Sequence, residues 1–162
     1  MGTAKPFLDR GYKVIERGQM TEINPGVVDG LSRHEIKSLY PEEYEKSIKE
    51  PYSHRFPRAE SYHDLSVRLE PAIFELERDR SDLLIIGHGS VLRCLFAYLK
   101  GLAPKDIPKV MIERGDLVEI LPVRNNLPIS HSQNMKQLTW GSNNNSPRTA
   151  LRARPTRSGD HL

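Results

Sequence analysis

Residues 82–94 read Asp-Leu-Leu-Ile-Ile-Gly-His-Gly-Ser-Val-Leu-Arg-Cys. Leu83–Ile86 is a run of four large apolar residues bounded by charge and glycine, the pattern of a strand buried on both faces. Ser90–Lys100, SVLRCLFAYLK, returns to a helical pattern. Upstream, Tyr62, Leu65, Leu69, Ile73 and Leu76 are spaced 3, 4, 4 and 3, one apolar helical stripe. Ser61 with Asp64 three residues on supplies the capping box that starts it, and Pro71 inside it predicts a kink. Helix, buried strand, helix is the grammar of an α/β layer with a parallel sheet. His88 then falls at the carboxyl end of the strand, where open α/β sheets bind ligands. Gly87 and Gly89 permit close backbone approach, and the free N–H groups of a helix start suit an anion such as phosphate. Arg93, five residues after His88, brings a guanidinium to the same helix. Taken alone, these residues fit a glycine-flanked turn with a solvent-facing histidine equally well.

Outward from this stretch the chain keeps alternating. Tyr12–Glu16 and Gln19–Ile23 read as short extended pieces leading to the turn cluster Asn24-Pro25-Gly26. Ser32 and Glu35 form a second capping box, predicting a helix over 33–39, and Pro41-Glu-Glu suits the first turn of another. Residues 51–58 read as a loop, Pro104 and Pro108 break the chain after the 90–100 helix, and Asp116–Pro122 is a last strand with alternating faces.

The 162 residues suit one domain, and their charge is divided unevenly. Six of the 24 Lys and Arg residues and one of the 21 acids lie at or beyond Arg124, so the segment 124–162 is net +5 and the body 1–123 net −2. The segment is rich in Asn, Ser, Arg and Pro with no sustained apolar period, and is expected to be a disordered basic tail. The basic balance therefore gives little support to a nucleic-acid partner. No apolar run approaches the roughly 20 residues a spanning helix needs, and the first residues lack the apolar stretch of a signal peptide. We expect no membrane association and a cytoplasmic location. The single cysteine, Cys94, excludes an internal disulfide framework and is expected to be buried and inert. His54, His63, His131 and His161 lack the spacing of a metal site, so neither metal nor cofactor is expected.

The 82–94 stretch resembles the second histidine motif of the histidine phosphatase superfamily, which includes the phosphoglycerate mutases. Further motifs narrow the likeness: Glu22-Ile-Asn-Pro-Gly-Val-Val-Asp-Gly, Tyr40-Pro-Glu-Glu, Arg58-Ala-Glu-Ser-Tyr62, Arg68-Leu-Glu-Pro71 and Phe74-Glu-Leu-Glu-Arg78. In that order they resemble the fructose-2,6-bisphosphatase half of the bifunctional 6-phosphofructo-2-kinase/fructose-2,6-bisphosphatases, of fungal type, over residues 5–122. The resemblance implies a three-layer α/β/α phosphoglycerate mutase-like sheet. It also implies hydrolysis of fructose 2,6-bisphosphate to fructose 6-phosphate through a phosphohistidine, which splits one hard displacement into two easier steps. By that likeness Glu22 is the general acid, His88 the second catalytic histidine, and Arg93 and Gly89 bind substrate. A phosphorylated sugar is the implied ligand, and a kinase domain the implied neighbour in the full-length relative.

The likeness also has gaps. The family's nucleophile sits in an Arg-His-Gly motif, which these 162 residues do not contain. We therefore expect an incomplete sheet, missing its first strand, with Leu83–Ile86 lacking a neighbour on one side. Arg33-His34-Glu35 is a poor substitute, being a helix start with Glu where phosphate approach favours Gly. Arg33, Ser47 and Pro51 fall where the family has tyrosine, arginine and lysine, and Gly89 where it has glutamine. We expect residues 1–123 to be a partial phosphatase-like domain that does not turn over alone. The alternative is a non-catalytic phosphosugar-binding or regulatory remnant. A basic-tail adaptor rests on the tail charges alone.

Overall fold

The computed structural model describes residues 2–79, 81–120 and 149–153. Five α-helices occur among them: α1 (Lys5–Leu8), α2 (Arg33–Leu39), α3 (Pro41–Lys49), α4 (Tyr62–Arg78) and α5 (Gly89–Leu99). Three strands accompany them, β1 (Leu83–Gly87), β2 (Leu117–Ile120) and β3 (Thr149–Ala153). Both anticipated capping boxes form. Ser32 Oγ accepts from Glu35 N and Ser61 Oγ from Asp64 N, while each acid accepts from the backbone N–H of its serine. The 3₁₀ turn Gly18–Met20 takes the place of part of the extended piece expected there.

The helix α4 runs unbroken through Pro71. Proline costs a helix its i→i−4 hydrogen bond, here the one to Val67, but Val67 and Pro71 lie on the exposed side, where water can take up the freed carbonyl. The opposite side carries Leu65, Leu69, Ala72 and Ile73, all buried. With Val91, Leu92, Cys94 and Leu95 of α5, and Ile85, Ile107 and Ile120, these are the buried apolar residues of the core. Burying one such side chain gives about 1.5–3 kcal/mol, so this cluster, and not local propensity, holds the two helices against the sheet. Burial also pushes the Cys94 thiol up to about 11, which keeps it a thiol near neutrality.

Two expectations about the sheet fail. First, β1 is not buried on both faces. Ile85 and Gly87 face the helices, whereas Leu84 points away and is 40% exposed. Second, the sheet is mixed. Its order is β1-β3-β2, with β1 antiparallel and β2 parallel to β3. The connection explains the reversal. The chain returns down α5, then Pro104–Lys109 winds as a 3₁₀ segment and the following residues climb back beside α5. Arg93 Nε donates to Val110 O at 2.9 Å, which fixes that ascent. The strand β2 thus starts near the carboxyl end of β1 and runs the opposite way.

Thr149–Ala153, five residues of the segment expected to be a disordered tail, are instead the central strand of this sheet. Leu83 pairs with Ala153 and Gly87 with Thr149, while Leu117 pairs with Ala150 and Ile120 with Ala153. The rest of the 124–162 expectation lies outside the described residues. Among those residues, the other edge of β1 has no strand partner.

Candidate functional site

The carboxyl end of β1 delivers His88 to the cap position of α5, in extended backbone with φ −75° and ψ 153°. Its side chain makes no cap hydrogen bond and, partly buried, is turned toward Glu22 instead. Gly87 is buried, and a Cβ there would sit 3.6 Å from Leu92, ordinary contact; close packing does not by itself require glycine. A Cβ at Gly89 meets nothing within 4 Å, so close approach of protein atoms does not require glycine at that position.

Glu22 comes to His88 from the other side. Its Oε2 lies 3.1 Å from His88 Nδ1. The loop that carries it has no regular structure and is secured by polar contacts. Arg68, on α4, donates from Nη1 to Gln19 O (2.6 Å), Thr21 O (3.3 Å) and Thr21 Oγ1 (3.0 Å). From Nη2 it donates to Thr21 O (3.2 Å) and Glu22 O (3.3 Å). The same guanidinium is clamped by Glu60, with Nε–Oε1 2.8 Å and Nη2–Oε2 2.9 Å. Glu60 Oε2 in turn accepts from Asn24 N at 2.9 Å. Partial burial works to raise the Glu60 pKa, but the bonds from Arg68 and Asn24 and the charge of Arg68 outweigh it, so the carboxyl lies below its ordinary range. A last tie joins the two halves: Ile23 N donates to the buried Ser90 Oγ on the first turn of α5, at 3.3 Å.

The turn Asn24-Pro25-Gly26 is tight. Gly26 has φ +61°, and a Cβ on it would lie 2.4 Å from Pro57 O. Glycine is required there on both counts. Arg58, facing it, is the one non-glycine residue with positive φ among the described residues, at 61°.

Glu22, His88, Gly89 and Arg93 line one cleft of about 550 Å³, together with Ile112, Glu113 and Arg114. The four residues expected from sequence are therefore neighbours in space. Arg93 is less free than expected. Besides the bond to Val110 O, its Nη1 donates to Tyr62 Oη at 2.9 Å. This also gives Tyr62 a second role: its ring packs against the core, as the helical stripe predicted, while its hydroxyl holds Arg93 in place.

Sequence reasoning missed Ile112–Arg114. The available signal was Gly115 just before a strand, which marks a turn but gives no hint of where the turn lands. His34 is exposed on α2 and does not line the cleft. His54 is more enclosed than expected, with Nε2 3.4 Å from Glu43 and its ring edge-on to Phe56 at 5.0 Å.

The arrangement is suited to anion chemistry. It combines an imidazole, a carboxylate and a guanidinium around the N-terminus of an eleven-residue helix. Among the described residues no group of His, Cys, Asp and Glu could hold a metal ion, and no helix is long and apolar enough to cross a membrane.

Residues 1–135 match the family profile of the histidine phosphatase superfamily, branch 1. A Saccharomyces cerevisiae protein, whose name of 6-phosphofructo-2-kinase/fructose-2,6-bisphosphatase is itself provisional, is 45% identical over 118 residues, 73% of this chain and 23% of that protein. An Arabidopsis thaliana 6-phosphofructo-2-kinase/fructose-2,6-bisphosphatase is 42% identical over 110 residues, 68% of this chain and 15% of its own length. A yeast fructose-2,6-bisphosphatase is 37% identical over 111 residues, 68% of this chain and 24% of its own. The chain spans about a quarter or less of the curated relatives it matches.

Proposed function

The chain belongs to the histidine phosphatase superfamily, and on that premise we propose that its cleft is the acid-and-second-histidine half of a fructose-2,6-bisphosphate 2-phosphatase site. The observation that carries this is the meeting of Glu22 and His88, 66 residues apart in sequence, at 3.1 Å over the start of α5. In a complete site a nucleophilic histidine attacks the 2-phosphate, and the P–O bond to the sugar breaks as the N–P bond forms. Glu22 gives its proton to the leaving sugar oxygen, then takes one from the water that hydrolyses the phosphohistidine. His88, Arg93 and the N–H groups of α5 hold the charge on the transferring phosphoryl group.

No Arg-His-Gly motif occurs in these 162 residues. We therefore read these residues as binding the phosphosugar without hydrolysing it by themselves. The names of its relatives support a kinase domain as neighbour in a full-length protein. A purely regulatory phosphosugar-binding role is the second reading. It is favoured by Ser47 and Pro51, uncharged residues at positions where the family likeness implies arginine and lysine.

The test is incubation of the purified chain with fructose 2,6-bisphosphate labelled in the 2-phosphate. Saturable binding is expected, with no release of fructose 6-phosphate and no acid-labile label on protein. Label trapped on any histidine would overturn the non-hydrolytic reading, and absence of binding would overturn the substrate assignment.

A further inference from the structure

Most charged groups of the cleft already have protein partners. Glu22 meets His88, and Arg93 is tied to Val110 O and Tyr62 Oη. Arg114 is different. It is exposed, it lines the same cleft, and it makes no hydrogen bond or ion pair among the described residues.

Its position is nonetheless set by the backbone. Glu113 N donates to Asp116 Oδ2 at 2.8 Å and Asp116 N to Glu113 O at 3.3 Å, while Gly115 takes φ +88°. These bonds close a tight turn around Arg114 and Gly115. The other end of the segment is pinned at Val110 by Arg93. The guanidinium of Arg114 is thus a cation presented on a fixed turn, with its hydrogen-bonding capacity unspent.

A ligand whose first anionic group sits against His88, Arg93 and the start of α5 leaves this cation to meet a second one. The cleft, about 550 Å³, falls in the ordinary range for small-molecule sites, roughly 300–1,000 Å³. The positions where the family likeness implies further cations hold Ser47, with its hydroxyl engaged by Tyr44, and Pro51, which has no charge. Resting on the phosphosugar reading above, we propose that Arg114 anchors the non-transferred phosphate of a bisphosphorylated sugar, and so determines the preference of this cleft for bis- over monophosphates.

The experiment is calorimetric titration of the full chain and its Arg114→Gln variant with fructose 2,6-bisphosphate, fructose 6-phosphate and inorganic phosphate, with Arg93→Gln as reference. Losing a charge-assisted contact of this kind corresponds to about 10- to 100-fold in affinity. Arg114→Gln is expected to lose that much for the bisphosphate, to bind inorganic phosphate as before, and to keep the parent thermal transition, since the side chain is exposed. If Arg114→Gln binds all three ligands like the parent while Arg93→Gln loses them, this inference falls and the phosphosugar reading stands. Equal losses for bisphosphate and inorganic phosphate would also overturn it, by showing a general charge effect. A parent chain that binds none of the three removes both.

Discussion

The two halves of the cleft are held by different physics. His88 stands at a junction made of buried apolar groups: Ile85 below it, and Val91, Leu92 and Leu95 behind it, the last three with no exposed surface. Glu22 stands on a loop that adds only the partly buried Met20 and Ile23 to the core and is held mainly by polar contacts: Arg68 donates to Gln19, Thr21 and Glu22, while Glu60 and Ser90 accept from Asn24 and Ile23. Hydrophobic burial is non-directional and spread over many contacts. A polar clamp is directional and concentrated in one side chain. Damage to the first should therefore unfold the molecule, whereas damage to the second should release the acid loop and leave the core standing.

The largest effect is expected at Leu92. Leu92→Ala empties part of the space between α4, α5 and Gly87, and large-to-small changes of this kind cost about 2–5 kcal/mol. Chemical denaturation should show the midpoint falling with an unchanged slope, and the whole described fold should lose protection together. The next effect is at Arg68. Arg68→Met keeps the aliphatic stem but removes the clamp. With both partners of the Arg68–Glu60 pair about a quarter exposed, the loss should be about 2 kcal/mol, between the limits for exposed and buried ion pairs. Hydrogen exchange should accelerate at Ile23 and Asn24, whose N–H groups are held by Ser90 and Glu60, with much smaller changes in α5. Uniform acceleration across α4 and α5 would erase the distinction between the two halves.

The same difference governs what could be read from sequence. Apolar periodicity announces burial, so Tyr62–Leu76, Leu83–Ile86 and Ser90–Lys100 give their elements with little ambiguity, and with them the place of His88. The capping boxes at Ser32 and Ser61 are local and equally readable. Long-range polar contacts leave no period. Nothing in the spacing of Arg68 shows that it reaches back 49 residues to Gln19, and Glu22 was singled out only through its motif. Sheet order is harder still. Thr149–Ala153 is a short strand within a segment rich in arginine, serine and asparagine, and its place between β1 and β2 depends on pairing across more than sixty residues in one case. The path from α5 to β2 was readable as a break at Pro104 and Pro108. Its return to the mouth of the cleft was not, so Arg114 went unnoticed.

The smallest effect separates the halves by acidity. The Glu60 carboxyl lies below its ordinary value of 4.5 in the folded chain. A group with a depressed folded pKa adds stability that is present above the unfolded value and lost as pH falls through the folded one. The clamp on the acid loop should therefore be intact above pH 4.5 and weaken progressively below it. Asp64, Glu35, Glu43 and Asp106 are depressed too, so acid will destabilise the parent chain by several routes at once. Glu60→Gln isolates one of them, because its amide oxygen can still accept from Asn24 N but carries no charge for Arg68. The stability difference between parent and Glu60→Gln should be constant above pH 4.5 and narrow as pH drops below it, and exchange at Asn24 should follow the same profile. A difference that stays constant through that acid range would mean that Glu60 serves by hydrogen-bond geometry alone, and that the acid loop is no more sensitive to charge than the apolar corner beneath His88.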